Sequence, residues 1–440
     1  MKNNPQRIAQ RRALIAGSVG NFIEWYEFAV YGFLATIIAQ NFFRLAGESE
    51  LTGIILTYAS FAIAFFFRPL GAIIFGFIGD KIGRKPTLVF VLIMMTLATL
   101  AIGLVPTYAS IGIAAPLIIT GLRILQGLFA GGEYGGAVSL MTEFAPRGKR
   151  GLFGAWQSFT VALGLLAGAG IVALLSGLLS PEQMLNWGWR IPFLLALPMG
   201  VVALWLRFHM QETPGFVKQQ KNQTQSPPLK ASICATFKTI LLGVSRVMVW
   251  SAAGYTYLVI MPTYLQSSLH TGFNQALLIA VISNIGFAAT IIPAGMLSDK
   301  IGRRRVMVSA AILLLILALP LLHILQDTTS TLITKALVVF IAGGLVGLLA
   351  GPGPAMLAEM FPTRVRYTGL GLAYSLSNAL FSGCAGLIIT GLIQQTGNPD
   401  IPAWYVMATA IVSIFALMTL NKDDHLRSLD DPQQQDSPRP

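Results

Sequence analysis

Two carboxylates lie inside an apolar segment that is long enough to cross a bilayer. Glu24 and Glu27 interrupt the hydrophobic stretch at residues 13–43. An ionisable side chain within a membrane is costly, so it usually faces a bundle interior or an aqueous path, pairs with a cation or carries a proton. Asn21 and Tyr31 recur beside the acids at helical spacing, which makes a polar stripe along one face. The stripe indicates a proton or substrate site, and the alternative is a set of ion-paired packing residues.

Two arginines lie within other apolar segments and need acidic partners. We expect Arg123 to pair with an acid of the first segment, Glu24 or Glu27. Glu133 is a possible partner for Arg68. Proton coupling is therefore assigned to Glu27, Glu24 and Arg123, and Glu27 is favoured as the group that carries the proton.

Aromatic and amide side chains can bind a small polar solute without a net charge, so several of them join the charged residues as candidate substrate contacts. The predicted contacts are Arg123, Arg68, Asn21, Tyr31, Glu133, Gln157, Tyr255, Tyr257 and Asn378. Further candidates for the lining of the path are Trp156, Asn284 and Tyr374. For each of the uncharged residues, packing between helices is the alternative.

The composition of the whole chain is that of an integral membrane protein, with 54% hydrophobic and 11% charged residues. The net charge of +12 is spread over alternate loops, which argues against a nucleic-acid surface. Cys234 and Cys384 are far apart and the four His form no cluster, so no disulfide framework or metal site is predicted. No nucleotide fingerprint or catalytic set appears, so we expect no cofactor, no enzymatic activity and transport driven by an ion gradient.

Apolar runs of about 20 or more residues predict twelve transmembrane helices. Their approximate ranges are 13–43, 52–79, 87–106, 111–142, 151–178, 189–208, 239–266, 274–297, 306–324, 333–358, 367–393 and 402–420. Most of the 30 Lys and Arg lie at the N-terminus, in alternate loops and in the tail, whereas the opposite loops hold only Arg44, Arg190 and Lys335. The positive-inside rule therefore puts both termini in the cytoplasm. The expected location of this multi-pass protein is the cell membrane, as a bacterial inner-membrane protein.

A polar segment divides these helices into two groups of six. Residues 218–228 are rich in Gln, Lys and Pro and cannot form a core. The predicted domains are an N-terminal six-helix bundle (1–208), a cytoplasmic linker (209–238), a C-terminal six-helix bundle (239–420) and a disordered cytoplasmic tail (421–440). The predicted fold class is thus an all-α membrane protein of two bundles.

One loop occurs twice, after the second predicted helix of each half. Residues 76–85 have the sequence GFIGDKIGRK and residues 295–304 have GMLSDKIGRR, and a Glu, Pro, Arg pattern recurs after the fourth helix. Such parallel repeats are typical of transporters that rock one half against the other. The loop Asp can accept hydrogen bonds from Arg or from the N-terminal end of a facing helix. We therefore assign gating to Gly76, Asp80, Gly83, Arg84, Asp299, Gly302, Arg303, Glu143, Arg150, Glu359 and Arg366.

The duplicated loop resembles the signature of the major facilitator superfamily. Four further motifs resemble those of its metabolite:proton symporter family: GNFIEWY at 20–26, GGEYGG at 131–136, WGWRIPF at 187–193 and FPTRVRY at 361–367. That family contains carriers of carboxylates such as 2-oxoglutarate and citrate, of shikimate, and of zwitterions such as proline and betaine. The family usually has Asp where Glu27 stands. The resemblance implies the major facilitator fold and proton-coupled transport.

The predicted function is import of a small organic solute together with a proton, by alternating access. Because a guanidinium binds a carboxylate through two parallel hydrogen bonds, Arg123 favours an organic acid such as 2-oxoglutarate, citrate or shikimate. The alternatives are a proline/betaine-type zwitterion symporter, an exporter or exchanger, and a non-transporting sensor of osmolality or nutrient. The expected partners are the solute, the proton and the lipid bilayer, and a monomer is plausible.

Overall fold

A computed structural model describes residues 5–43, 50–82, 84–143, 145–146, 148–208, 229–361 and 366–426 of the 440-residue chain. The secondary structure of these residues is helical throughout. By length and composition, 11 of the described helices can cross a membrane, or 12 when one bent pair is counted as a single span. The prediction of an all-helical membrane protein is confirmed.

The spans, labelled in chain order, are α1 (Ser18–Phe33 with Ala35–Phe43), α2 (Glu50–Phe75), α3 (Lys85–Leu104), α4 (Ala114–Val138), α5 (Arg150–Leu178), α6 (Pro181–Phe208), α7 (Thr236–Leu269), α8 (Phe273–Ile301), α9 (Arg303–Gln326), α10 (Leu332–Met360), α11 (Thr368–Thr396) and α12 (Ile401–Met418). Each overlaps one predicted segment. The helix that carries α7 begins at Leu229, before the predicted linker ends at residue 238. Residues 209–228 of that linker lie outside the described residues.

Several spans are interrupted near the middle of the molecule. The two parts of α1 meet at an angle of 62°. A helix of α4 ends at Ala130 and the next begins at Tyr134, with a turn between them. Wider π turns occupy Thr256–Ile260 in α7 and Asn378–Gly383 in α11. Such interruptions often occur at functional sites, because they redirect side chains and free backbone groups.

The two halves meet through helices that the internal repeat relates to each other. In the repeat, α2 corresponds to α8 and α5 corresponds to α11. In the structure, α5 packs against α8, and α2 packs against α11. The interface therefore has the pseudo-twofold arrangement expected of parallel repeats.

Glycines bring helices into close contact both between and within the halves. A Cβ atom on Gly151 of α5 would overlap the backbone of Gly295 on α8, and the reverse also holds. Within the N-terminal half, a Cβ atom on Gly127 or Gly131 of α4 would overlap the backbone of α2. These seams are dry and narrow because small residues let backbones approach closely within a membrane.

Candidate functional site

The polar stripe of α1 is fully enclosed by protein. Asn21, Glu24, Glu27 and Tyr31 are each 0% exposed. Asn21 donates to the carbonyl oxygen of Gln157 at 3.2 Å, and the amide of Gln157 donates back to Asn21 at 3.3 Å. These two predicted substrate contacts therefore tie α1 to α5 within one half.

Glu24 forms an ion pair with Arg68 of α2. Their Oε1 and Nη2 atoms are 2.7 Å apart, and both side chains are at most 2% exposed. The guanidinium carbon of Arg68 lies 4.4 Å from the ring centre of Phe28 and 4.5 Å from that of Phe65. The pair is thus held between aromatic rings, which supply cation–π attraction in place of water.

Glu133, the expected partner of Arg68, pairs instead with Arg207 near the end of α6. The difference follows from the position of Glu133 in the interruption of α4, after Gly131 has brought α4 against the backbone of Arg68. The carboxylate therefore projects to α6, whereas Arg68 reaches α1.

Arg123 does not form the predicted ion pair with an acid of α1: among the described residues, no carboxylate lies within 4 Å of it. Its Nη1 donates to Gln126 at 2.6 Å, and its guanidinium carbon lies 4.2 Å from the ring centre of Tyr31. The rings of Phe28 and Phe61 are 4.7 and 5.0 Å away. Aromatic faces and one amide thus take the place of the carboxylate.

Glu27 is the acid of α1 that has no ion-pair partner in the part of the chain that the structure describes. The groups that act on it electrostatically are Thr99, Glu24 and Arg123. An unpaired carboxylate is costly in a protein interior. The position therefore suits a group that holds a proton for part of a cycle.

A cavity lies between the two halves and has a volume of about 30 Å³. Its lining residues come from α1, α5, α7, α8 and α11, and they are Trp25, Ser158, Val161, Leu165, Trp250, Ser251, Gly254, Tyr255, Leu258, Val259, Phe287, Tyr374, Asn378 and Ser382. None of these carries a charge. Because a cavity needs about 10–15 Å³ to hold a water, this one has room for water.

Two pairs of contacting aromatic rings line the cavity. The rings of Trp25 and Tyr255 are 6.0 Å apart across the interface of the halves, and those of Trp250 and Tyr374 are 5.5 Å apart. The hydroxyl of Tyr255 is buried without a hydrogen-bond partner among the described residues. A ligand in this cavity could therefore contact aromatic ring faces and form a hydrogen bond with the hydroxyl of Tyr255.

Of the predicted substrate contacts, Tyr255 and Asn378 line the cavity, and so does the further candidate Tyr374. The lining does not include the others, which are Arg68, Arg123, Asn21, Tyr31, Glu133, Gln157 and Tyr257. Sequence reasoning missed Trp25, Trp250 and Ser251. For Trp250, the sequence offered one signal: Trp250, Gly254 and Leu258 are spaced four residues apart, which puts them on one face of α7.

The second copy of the repeated loop binds across the interface at one end of the molecule. Asp299 of α8 accepts from the backbone N–H of Gly151 at 2.8 Å and of Leu152 at 3.0 Å, at the N-terminal end of α5. It also pairs with Arg303 at 2.8 Å. The Asp thus accepts from both kinds of donor that the sequence predicts, and its contacts use the favourable end of the helix dipole.

Other gating candidates surround this contact. Glu359 accepts from Arg303 at 3.2 Å and pairs with Arg150 at 3.4 Å, which joins the halves again. Gly302 has a φ of 93°, a conformation that the tight turn demands and that favours glycine. Gly83 lies outside the described residues. The surroundings of five further gating candidates are also outside the description, and these are Gly76, Asp80, Arg84, Glu143 and Arg366.

The helical fold and the uncharged cavity between the N-terminal and C-terminal spans are those of a membrane transporter. A solved structure of the proton:xylose symporter XylE has the same fold, with a TM-score of 0.78 and 16% identity over 97% of this chain and 99% of that chain. A model described as "Sugar (and other) transporter" matches residues 13–231, and one described as "Major Facilitator Superfamily" matches residues 243–439.

Two curated relatives extend along nearly the whole chain. The glycine betaine/proline/ectoine/pipecolic acid transporter OusA of Dickeya dadantii (strain 3937) is 35% identical over 94% of this chain and 84% of its own length. The proline/betaine transporter of Escherichia coli (strain K12) is 34% identical over 94% and 83%. The chain belongs to the major facilitator superfamily, and these relatives fit the proline/betaine type of carrier within the family that its motifs resemble. It is a multi-pass membrane transporter and not an enzyme.

Proposed function

We propose that the protein imports a zwitterion of the proline/betaine type together with a proton. The observation that carries this proposal is the cavity between the halves, whose described lining consists of aromatic, aliphatic and uncharged polar side chains and contains no charge. The similarity to proline/betaine transporters supports the same substrate class.

A zwitterion matches this lining better than an organic acid does. Its ammonium can lie against the faces of Trp250 and Tyr374, and its carboxylate can accept hydrogen bonds from the hydroxyls of Tyr255 and Ser251. Citrate or 2-oxoglutarate would bring two or more negative charges into a site without a cation, at a large desolvation cost. The organic-acid interpretation is therefore the weaker of the two.

The proton is assigned to the acids of α1. Protonation of Glu24 would break its ion pair with Arg68, whose guanidinium carbon lies 5.4 Å from the ring centre of Trp25. Trp25 is also the residue of α1 that lines the cavity. A proton on this acid can therefore change the position of a wall of the substrate site. Glu27 lies within one further turn of the helix, and we assign proton coupling to both acids.

The described arrangement corresponds to a closed state of the cycle. Asp299 and Glu359 join the halves at one end, and the rings of Trp25 and Tyr255 meet across the interface. Following the positive-inside rule, we assign that end and both termini to the cytoplasm. Loading and release would then require the two halves to rock apart on alternate sides.

The test is solute uptake by the purified full-length protein in proteoliposomes, under an imposed inward proton gradient. We expect accumulation of labelled betaine and proline, and no accumulation of 2-oxoglutarate, citrate or shikimate. Accumulation of a carboxylate alone would overturn the substrate class. Betaine uptake that ignores the gradient would overturn proton coupling.

A further inference from the structure

A second buried ion pair lies in the N-terminal half and has no part in the function proposed so far. Glu133 and Arg207 are 3% and 1% exposed and contact each other directly. Nη1 of Arg207 also donates to the carbonyl oxygen of Leu88 at 2.6 Å. Burying two charges costs several kcal/mol before their attraction is counted, so such a pair is weak evidence for stability and asks for another reason.

The pair lies one helical turn from Glu24, on the side of the assigned cytoplasmic end. A Cβ atom on Gly20 would overlap both the guanidinium of Arg207 and the carboxylate of Glu133, so both groups touch the bare backbone there. Gly20 and Glu24 are four positions apart and share a face of α1. The rise between Gly20 and Glu24 is about 6 Å along the helix axis, so Glu133 meets α1 about one turn from Glu24.

The charges of the two pairs act on each other. The carboxylate of Glu24 interacts electrostatically with Arg68 of α2, with Glu133 of α4 and with Arg207 of α6. The carboxylate of Glu27 interacts electrostatically with that of Glu24. Each pair is neutral when both members are charged. A proton added to one carboxylate therefore frees one arginine and changes the potential at the other carboxylate.

The pair is also connected to the opposite half of the molecule. Glu133 is the last residue of the turn that interrupts α4, and the next residue, Tyr134, begins the following helix. The ring of Tyr134 is stacked on that of Tyr374 of α11, with centres 3.5 Å apart and planes 7° apart. Tyr374 lines the cavity. When the halves separate at this end, the stack must open, and the turn that holds Glu133 loses its support.

We propose that Glu133 is the proton-release station of the transporter: it receives the proton from Glu24 and passes it to the cytoplasm when the Tyr134–Tyr374 stack opens. This proposal rests on the proton coupling proposed above. It makes Glu133 a proton-transfer residue and Arg207 its ion-pair partner in the described state.

The proton balance of the step is simple. The O–H bond of protonated Glu24 breaks and an O–H bond forms on Glu133, directly or through one water. Glu24 becomes a carboxylate and pairs again with Arg68, while Arg207 is released from Glu133. Glu133 then gives the proton to cytoplasmic water and pairs again with Arg207. One proton moves and no other bond changes.

The test separates this role from a structural one. Glu133→Gln alone leaves Arg207 buried without a partner, and such a variant can fail to fold. The informative variant is therefore Glu133→Gln with Arg207→Met, which removes both charges and keeps similar volumes. Glu133→Asp is the conservative variant, and Glu182→Gln, at an exposed acid, is the matched control.

Two assays are compared in proteoliposomes: proton-driven accumulation of betaine, and exchange of labelled for unlabelled betaine without a gradient. Loss of a proton-transfer group costs about 100-fold or more in rate, so we expect accumulation to fall by that order in the double variant while exchange continues. Glu133→Asp should recover part of the accumulation, and Glu182→Gln should behave as the parent.

Parent-like accumulation in the double variant would overturn the proposal. Equal loss of accumulation and exchange would overturn it as well, because that result marks a packing role. A parent protein that moves betaine without protons would instead overturn the proposed function, and this station with it.

Discussion

The two acids of α1 differ in what compensates their charge. Glu24 has Arg68 at 2.7 Å, whereas Glu27 has no ion pair among the described residues. Removing the charge of Glu24 would leave a buried arginine unpaired, which typically costs about 3–5 kcal/mol of stability. Removing that of Glu27 carries no such penalty. A substitution at Glu27 therefore tests coupling with the least disturbance of the fold.

We expect Glu27→Gln to abolish accumulation of betaine against its gradient while exchange persists, because the amide keeps the shape of the side chain but cannot carry a proton. The measurement compares gradient-driven uptake with exchange at equal protein abundance in the membrane. A Gln variant that still concentrates betaine in response to a proton gradient would remove Glu27 from the coupling mechanism.

The aromatic wall of the cavity gives a second prediction at the same scale. Trp250→Ala should raise the KM for betaine by roughly 5- to 30-fold, because a desolvated cation–π contact contributes about 1–2 kcal/mol. Trp250→Phe should show a smaller effect, since it keeps a ring with a weaker quadrupole. Trp156→Ala is the control, because Trp156 is partly exposed and does not line the cavity. Equal KM values for all three variants would contradict the assigned site.

Charged residues could be found from the sequence, but their pairing could not. The long apolar segments that contain Glu24, Arg68 and Arg123 place these residues inside the membrane, because the hydropathy of a segment indicates whether it lies in the bilayer. Which acid meets which arginine depends on how far each helix is rotated and where it crosses its neighbour. Arg207 stands two residues before the predicted linker, yet it lies within the helix Ala196–Phe208 and is buried.

At the scale of elements, the contact between α8 and the start of α5 is the clearest candidate for a gate. Asp299 accepts two backbone N–H bonds of α5 while it pairs with Arg303. A hydrogen bond to a charged group contributes about 1.5–3 kcal/mol. We therefore expect Asp299→Asn to shift the population toward the state that is open at this end, by roughly tenfold or more.

The shift can be followed with Ser251→Cys, a cavity residue, after Cys234 and Cys384 have been replaced by Ser. The rate at which a polar thiol reagent reacts from the cytoplasmic face should rise in the Asn variant. Asp80→Asn should also raise this reaction rate, because Asp80 occupies in the first copy of the repeated loop the position that Asp299 occupies in the second. An unchanged reaction rate in both variants would contradict the gating role.

The positions of the spans could be predicted well because the bilayer imposes a length of apolar helix on each of them. Their interruptions could not. The π turn Asn378–Gly383 brings Asn378 and Ser382 to the cavity, yet no proline within those residues marks it. The exception is the sequence GPGP at residues 351–354, whose prolines predict a break in α10: the helices there end at Ala350 and restart at Gly353.

At the scale of the whole molecule, the repeat predicted the two halves, and the structure shows how they meet. The interface pairs α2 with α11 and α5 with α8, as a pseudo-twofold axis requires. The closed state itself could not be foreseen, because one sequence must support every state of the cycle. We expect the other states to lack contacts between the halves such as the Tyr134–Tyr374 stack and the Asp299 contacts.

The most direct test of zwitterion and proton symport uses proteoliposomes that contain a trapped pH indicator and start without any gradient. Betaine is added outside, and internal pH is recorded together with uptake of label. We predict that betaine enters and acidifies the interior in the parent, that citrate does neither, and that Glu27→Gln abolishes the acidification. Betaine entry without acidification, or acidification driven by citrate and not by betaine, would contradict the account.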